Sequence, residues 1–136
     1  MRVPRKRIVE LVEYVARREG VRPALVDIAV VTSGQIASMN RRYLGHGGVT
    51  DVISFDLSDE TSEGLVAQIV VCGEVAVREA PLHGHGPQRE LMLYVVHGLL
   101  HLTGYDDTTP RKAARMHARE EELLGEFFKV RRRRRQ

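Results

Sequence analysis

The succession of hydrophobic patterns predicts an α+β domain in which a small mixed β-sheet packs against helices around one central buried helix. Three observations carry this. Apolar periodicities run in the order helix, strand, helix, two strands, then helices. The 136 residues suit one core better than two small ones. No internal repeat or long linker divides the chain, and its apolar fraction of 43% is that of a globular protein.

The elements follow in order. From Arg5 to Glu19, Ile8, Leu11, Val12 and Val15 recur at helical spacing, and Gly20 stands where a left-handed stop is needed. Leu25 to Val31 is β-branched and nearly all apolar, which predicts a strand covered on both faces. Thr32 and Gln35 form a T-x-x-Q capping box opening a second helix, with Ile36, Met39, Asn40 and Tyr43 as its buried stripe. Gly45-His46-Gly47-Gly48 breaks that helix. Val52 to Leu57 and Leu65 to Cys72 read as strands joined through the polar stretch Ser58 to Gly64. A short helical segment, Glu74 to Ala80, is followed by a flexible connector from Pro81 to Pro87. Gln88 to Thr103 is the most apolar helix and is expected at the centre. Thr109-Pro110 supplies an N-cap and first-turn proline for a last helix with Met116, Leu123, Leu124, Phe127 and Phe128 inward. The domain is read over 1–130, with 131–136 as a basic, disordered tail.

Charge is segregated. Residues 1–50 carry 9 basic and 4 acidic groups, residues 51–107 carry 2 and 10, and residues 108–136 carry 10 and 4. An acidic middle suits a cation, and basic ends suit a polyanion or simple solvation. One cysteine, Cys72, excludes an internal disulfide framework and fits a reducing compartment. No apolar stretch follows the N-terminal charges, so neither a secretory signal nor a membrane span is expected and a cytoplasmic protein is.

The stretch His97-Gly98-Leu99-Leu100-His101-Leu102-Thr103-Gly104-Tyr105-Asp106-Asp107 carries the chemistry. Histidines four apart lie one turn above each other on a helix, so both imidazoles can reach one ion. Gly104 can reverse the chain and return a carboxylate to that ion, with Asp107 the candidate third ligand. This is the spacing of the extended zincin pattern. The glutamate that normally follows the first histidine as general base is replaced by Gly98, which argues against peptide hydrolysis. The two histidines could instead be satisfied or surface groups, but an apolar helix is a costly place for unpaired polar side chains. His46, His83 and His85 lie in glycine-rich loops, where an exposed histidine needs no explanation, and His117 is placed on a helix surface. Asp51 either begins a strand beside the metal cleft or is a turn residue. No acid–base catalytic residue is assigned.

These motifs resemble the YbeY endoribonucleases, or rRNA maturation factors. The family pattern H-G-x-L-H-L-x-G-Y-D-H is met at every specified position except the last, where Asp107 replaces histidine. Asn40, Tyr43 and Thr50 to Phe55 resemble its N-x-x-[YF]-R and T-D-V-[LI]-S-F segments, and Met116, Glu120, Leu123 and Leu124 its M-x3-E-x2-[IL]-L helix. Two further departures are Leu44, where the family has an arginine, and Gln68, where it has an aspartate. Arg41 and Arg42 are then candidates to contact RNA phosphate, or are solvated charges.

The resemblance implies a metal-dependent single-strand endoribonuclease acting in small-subunit (16S) rRNA 3′-end maturation and ribosome quality control. It implies an rRNA precursor and the small ribosomal subunit as partners, with no membrane and no dinucleotide cofactor. One divalent transition metal is expected at His97, His101 and Asp107, Zn2+ in the first place, with Fe, Mn or Ni admitted by the carboxylate. The competing readings are a zincin-like metallopeptidase or other hydrolase, and a non-catalytic ribosome-assembly factor braced by a structural metal.

Overall fold

The computed structural model describes the backbone of residues 1–135 and the side chains of residues 1–130. The order is α1 (Arg5–Arg18), β1 (Pro23–Val31), α2 (Ser33–Leu44), β2 (Val52–Asp56), β3 (Leu65–Cys72), α3 (Gly73–Glu79), a 3-10 turn (Ala80–His83), α4 (Pro87–Leu102) and α5 (Pro110–Arg135). The strands form one mixed sheet ordered β1-β3-β2, with β1 parallel and β2 antiparallel to β3. This is the α+β arrangement expected. The proposed basic tail at 131–136 lies outside the residues whose side chains are described.

Helix α4 is central. It packs against β2 and β3 on one side and against α1, α3 and α5 elsewhere, which is why apolar residues surround most of its circumference. Leu91, Met92, Val95, Val96, Leu99 and Leu100 are all buried. Its approach to the sheet depends on Gly98. A Cβ there would lie 2.8 Å from both Ile69 Cγ2 and Ser54 Oγ, and the Ser54 hydroxyl donates to the Gly98 carbonyl at 3.1 Å.

Four expectations need correction. The strand at Leu25–Val31 is not covered on both faces. It pairs only with β3, lies at the sheet edge and leaves Leu25 exposed, while β3 is the strand buried along its length. The capping box of α2 forms as read, Gln35 N donating to Thr32 Oγ1 at 3.2 Å and Thr32 N to Gln35 Oε1 at 2.9 Å. Its last turn, however, overhangs the core. Arg41, Arg42, Tyr43 and Leu44 are all exposed, so Tyr43 leaves the buried stripe and rests its ring edge-on against Phe55.

The remaining two corrections concern the segment from Pro81 to Pro87. It is a built turn instead of a flexible connector: Gly84 N and His85 N donate back to Pro81 O and Ala80 O, and Gly84 takes φ +74°. Nor is His85 an exposed loop histidine. Both His83 and His85 are bound to the carboxylate of Glu90 on α4, which is fully buried.

Candidate metal centre

Helix α4 presents His97 and His101 on one face, their rings 4.7 Å apart between centroids. The two Nε2 atoms face each other at 3.1 Å. After Leu102 the chain closes a Schellman turn, with Gly104 N donating to His101 O, Tyr105 N to Leu100 O, and Gly104 at φ +109°. The reversed chain carries Asp107 back to the histidines, and its Oδ2 lies 3.9 Å from each Nε2. Two ligands of a tetrahedral zinc, each at about 2.0–2.1 Å, stand about 3.3 Å apart, so the Nε2 pair already matches one edge and Asp107 would close by about 0.6 Å to complete three corners around one ion. Two nitrogens and one carboxylate oxygen suit a borderline divalent transition metal.

Asp106 does other work. Its Oδ1 accepts from Thr108 N at 3.1 Å and Thr108 Oγ1 at 2.7 Å, and its other oxygen lies 3.5 Å from Lys112 Nζ. The Thr108 hydrogen bonds hold its carboxyl below the usual range.

A residue whose role the sequence did not disclose completes the arrangement. Glu120, buried on α5, places Oε1 2.6 Å from His97 Nδ1. An Nδ1–H donated to that carboxylate leaves the Nε2 lone pair for an ion and fixes the ring's orientation. Burial pushes the His97 imidazolium toward losing its proton, but the hydrogen bond and charge of Glu120, with Asp51 and Asp107 beyond, more than offset it and raise its pKa above the ordinary value. The available signal was an acidic residue on the inward stripe of α5, one turn after Met116.

Gly98 also explains the missing glutamate. Position 98 points into the sheet, where even a methyl group collides with Ile69 and Ser54, so α4 has no room there for a base. Glu120 does not replace it, because it lies on the Nδ1 side of His97, away from the facing Nε2 pair.

The three candidate ligands open onto a cleft lined by Leu44, Thr50, Asp51, Val52, Ile53 and Ser54. Asp51 thus stands beside the centre, while its carbonyl accepts from Cys72 N at 2.9 Å. Leu44 lines the cleft, whereas Arg41 and Arg42 are exposed on α2 and are not among its lining residues. Gln68 is turned to another task, donating to Asp27 across β1 and β3 at 3.0 Å. On the other side of His97 the groove continues past Asp51, Arg78, Glu79 and His83. His117 is exposed, 3.9 Å from Glu120.

The family model described as Endoribonuclease YbeY matches residues 3–128. A protein of Nocardioides sp. named Endoribonuclease YbeY is 34% identical over 128 residues, covering 88% of this chain and 86% of its own length. One of the same name from Exiguobacterium sp. is 36% identical over 135 residues, covering 88% of this chain and 85% of its own. The solution structure of TM1509 from Thermotoga maritima superposes with a TM-score of 0.64 at 25% identity, over 95% of this chain and 84% of that one.

Proposed function

This chain belongs to the Endoribonuclease YbeY family, and from that premise we propose that it is a metal-dependent single-strand endoribonuclease acting in 16S rRNA 3′-end maturation and ribosome quality control. The observation that carries the reading is the convergence of His97 Nε2, His101 Nε2 and Asp107 Oδ2 on the wall of an open cleft. Zn2+ is the ion proposed, with Fe, Mn or Ni as alternatives that a carboxylate ligand favours more than a third histidine would. A cation held there supplies Lewis acidity to a phosphoryl oxygen and lowers the pKa of a water in its open position.

The chain's own residues do the rest. His97 and His101 are held on a rigid, buried helix, and Glu120 fixes the tautomer of His97. Asp51 stands in the cleft as a carboxylate for orienting water or substrate. Arg41 and Arg42, at the exposed end of α2, are proposed to hold the RNA backbone, and Arg78 lines the adjoining groove. An rRNA precursor and the small ribosomal subunit are the proposed partners, in the cytoplasm. Among the described residues no helix is long and apolar enough to cross a membrane.

Peptide hydrolysis is disfavoured because position 98 has no space for the helix glutamate. The test is to incubate the zinc-loaded protein with an rRNA precursor spanning the 16S 3′ end and, separately, with a peptide pool. Internal RNA cleavage that a chelator abolishes is expected. Peptide cleavage with intact RNA, or no cleavage of either, would reject the proposal.

A further inference from the structure

We propose that His83, His85 and Glu90 form a second site for a divalent transition metal, separate from the His97, His101 and Asp107 centre and at the far end of the adjoining groove. Glu90, in the first turn of α4, is fully buried, and the 3-10 turn folds over it. His83 Nδ1 lies 2.9 and 3.0 Å from the two carboxylate oxygens, and His85 Nε2 lies 2.5 Å from one of them. The three ligand atoms fall within 4.8 Å of one another. Two imidazoles and a glutamate are a donor set that binds zinc while leaving a position open.

Three features make this more than a hydrogen-bonded brace. The carboxylate is positioned in advance: Glu90 is sealed beneath the 3-10 turn with both of its oxygens aimed at the two imidazoles. The site has an entrance, since the His83 side chain is 50% exposed while Glu90 is sealed. The neighbouring groove is lined by Asp51, Glu79, Glu90 and Glu120 against the single guanidinium of Arg78, a balance of charge that attracts a cation.

Without an ion, protons bridge the imidazoles to Glu90. Ligands of one zinc sit about 3.3 Å apart, so each histidine nitrogen must withdraw by less than about 1 Å. The turn can supply this, because Gly84 and Gly86 flank His85 with open space around both. The bridging protons then leave the metal-facing nitrogens, either to solvent or to the opposite ring nitrogen.

Glu90 and His97 are seven residues apart on one helix, about 10 Å along its axis. Two ions that share a reacting phosphate stand about 3.5–4 Å apart, so this site does not complete a two-metal catalytic clamp. It pins the Ala80–His83 turn to α4 and places a positive charge at the groove's edge.

The test is titration of the chelator-treated, full-length protein with Co2+ and Zn2+, following cobalt absorption and bound equivalents, with circular dichroism to confirm folding. Wild type should bind two equivalents. His83→Ala, at an exposed position, and Glu90→Gln should each bind one, and His97→Ala/His101→Ala should retain one. Saturation of wild type at one equivalent that His97→Ala/His101→Ala abolishes, or a second equivalent that survives both His83→Ala and Glu90→Gln, would overturn the proposal. Retention of both equivalents by His97→Ala/His101→Ala would instead refute the first centre.

Discussion

Glu120 Oε1 lies 2.6 Å from Nδ1 of His97, joining α5 to the face of α4 that carries the candidate ligands. The pair couples the last helix to the chemistry of the cleft. Outer partners of this kind typically contribute about 10–100-fold to metal affinity. Glu120→Ala should therefore weaken zinc binding by about that factor, because His97 keeps its place but loses the acceptor that fixes its tautomer. Glu120→Gln, whose amide oxygen can still accept, should lose less. Calorimetric titration of the metal-free proteins checks the order; equal affinity in wild type and Glu120→Ala would show that the contact does not support the ligand.

The contact between Gly98 and the sheet gives a stability prediction. An added methyl group 2.8 Å from Ile69 Cγ2 and Ser54 Oγ overpacks a buried seam, at a cost of about 1–3 kcal/mol. Gly98→Ala should lower the melting temperature by several degrees. Gly98→Glu, which restores the zincin sequence, should unfold the domain without creating peptidase activity. A folded, peptide-cleaving Gly98→Glu protein would contradict this account.

Asp106 and Asp107 are adjacent but differently engaged. Asp106 is bound by Thr108 and Lys112, whereas Asp107 faces the two histidines. Asp107→Ala should lose tight metal binding. Asp107→His should bind zinc and shift preference toward it over manganese, since imidazole is the softer ligand. Asp106→Ala should keep its metal. Loss of metal in Asp106→Ala together with full binding in Asp107→Ala would reverse the assignment.

The turn between β2 and β3 carries a pH signature. Asp59 accepts from Thr61 N at 2.8 Å and Thr61 Oγ1 at 2.6 Å, and these bonds depress its folded-state pKa. Its contribution to stability is complete above the unfolded value of about 3.9 and is lost as pH falls through the lower folded value. The melting-temperature difference between wild type and Asp59→Ala should be present at neutral pH and shrink in acid. A difference that grows as pH falls would refute the sign.

Features written in local sequence were legible. The Thr32 to Gln35 box, the stop at Gly104 and the i, i+4 histidines depend on residues within a turn of each other, and each formed as read. Features that depend on distant pairing were not. An apolar run such as Leu25 to Val31 does not reveal whether one or two strands will flank it, and here only β3 does. Periodicity places Tyr43 on the inner face of α2 but does not say that the helix outruns the core. His83 and His85 looked idle because their partner is an acidic residue in the first turn of the next helix, where acids are ordinarily solvated. Glu120 and His97, 23 residues apart, are brought together only by the packing of α5 on α4.

The central claim, that RNA cleavage depends on an ion held by His97, His101 and Asp107, is tested most directly by one assay. An end-labelled single-stranded RNA is incubated with zinc-supplemented wild type and with His101→Ala, each shown to be folded by circular dichroism. The account predicts internal cleavage by wild type and a loss of at least about a hundredfold in His101→Ala, since a first ligand to the catalytic ion is gone. Cleavage by the folded His101→Ala protein at the wild-type rate would contradict it.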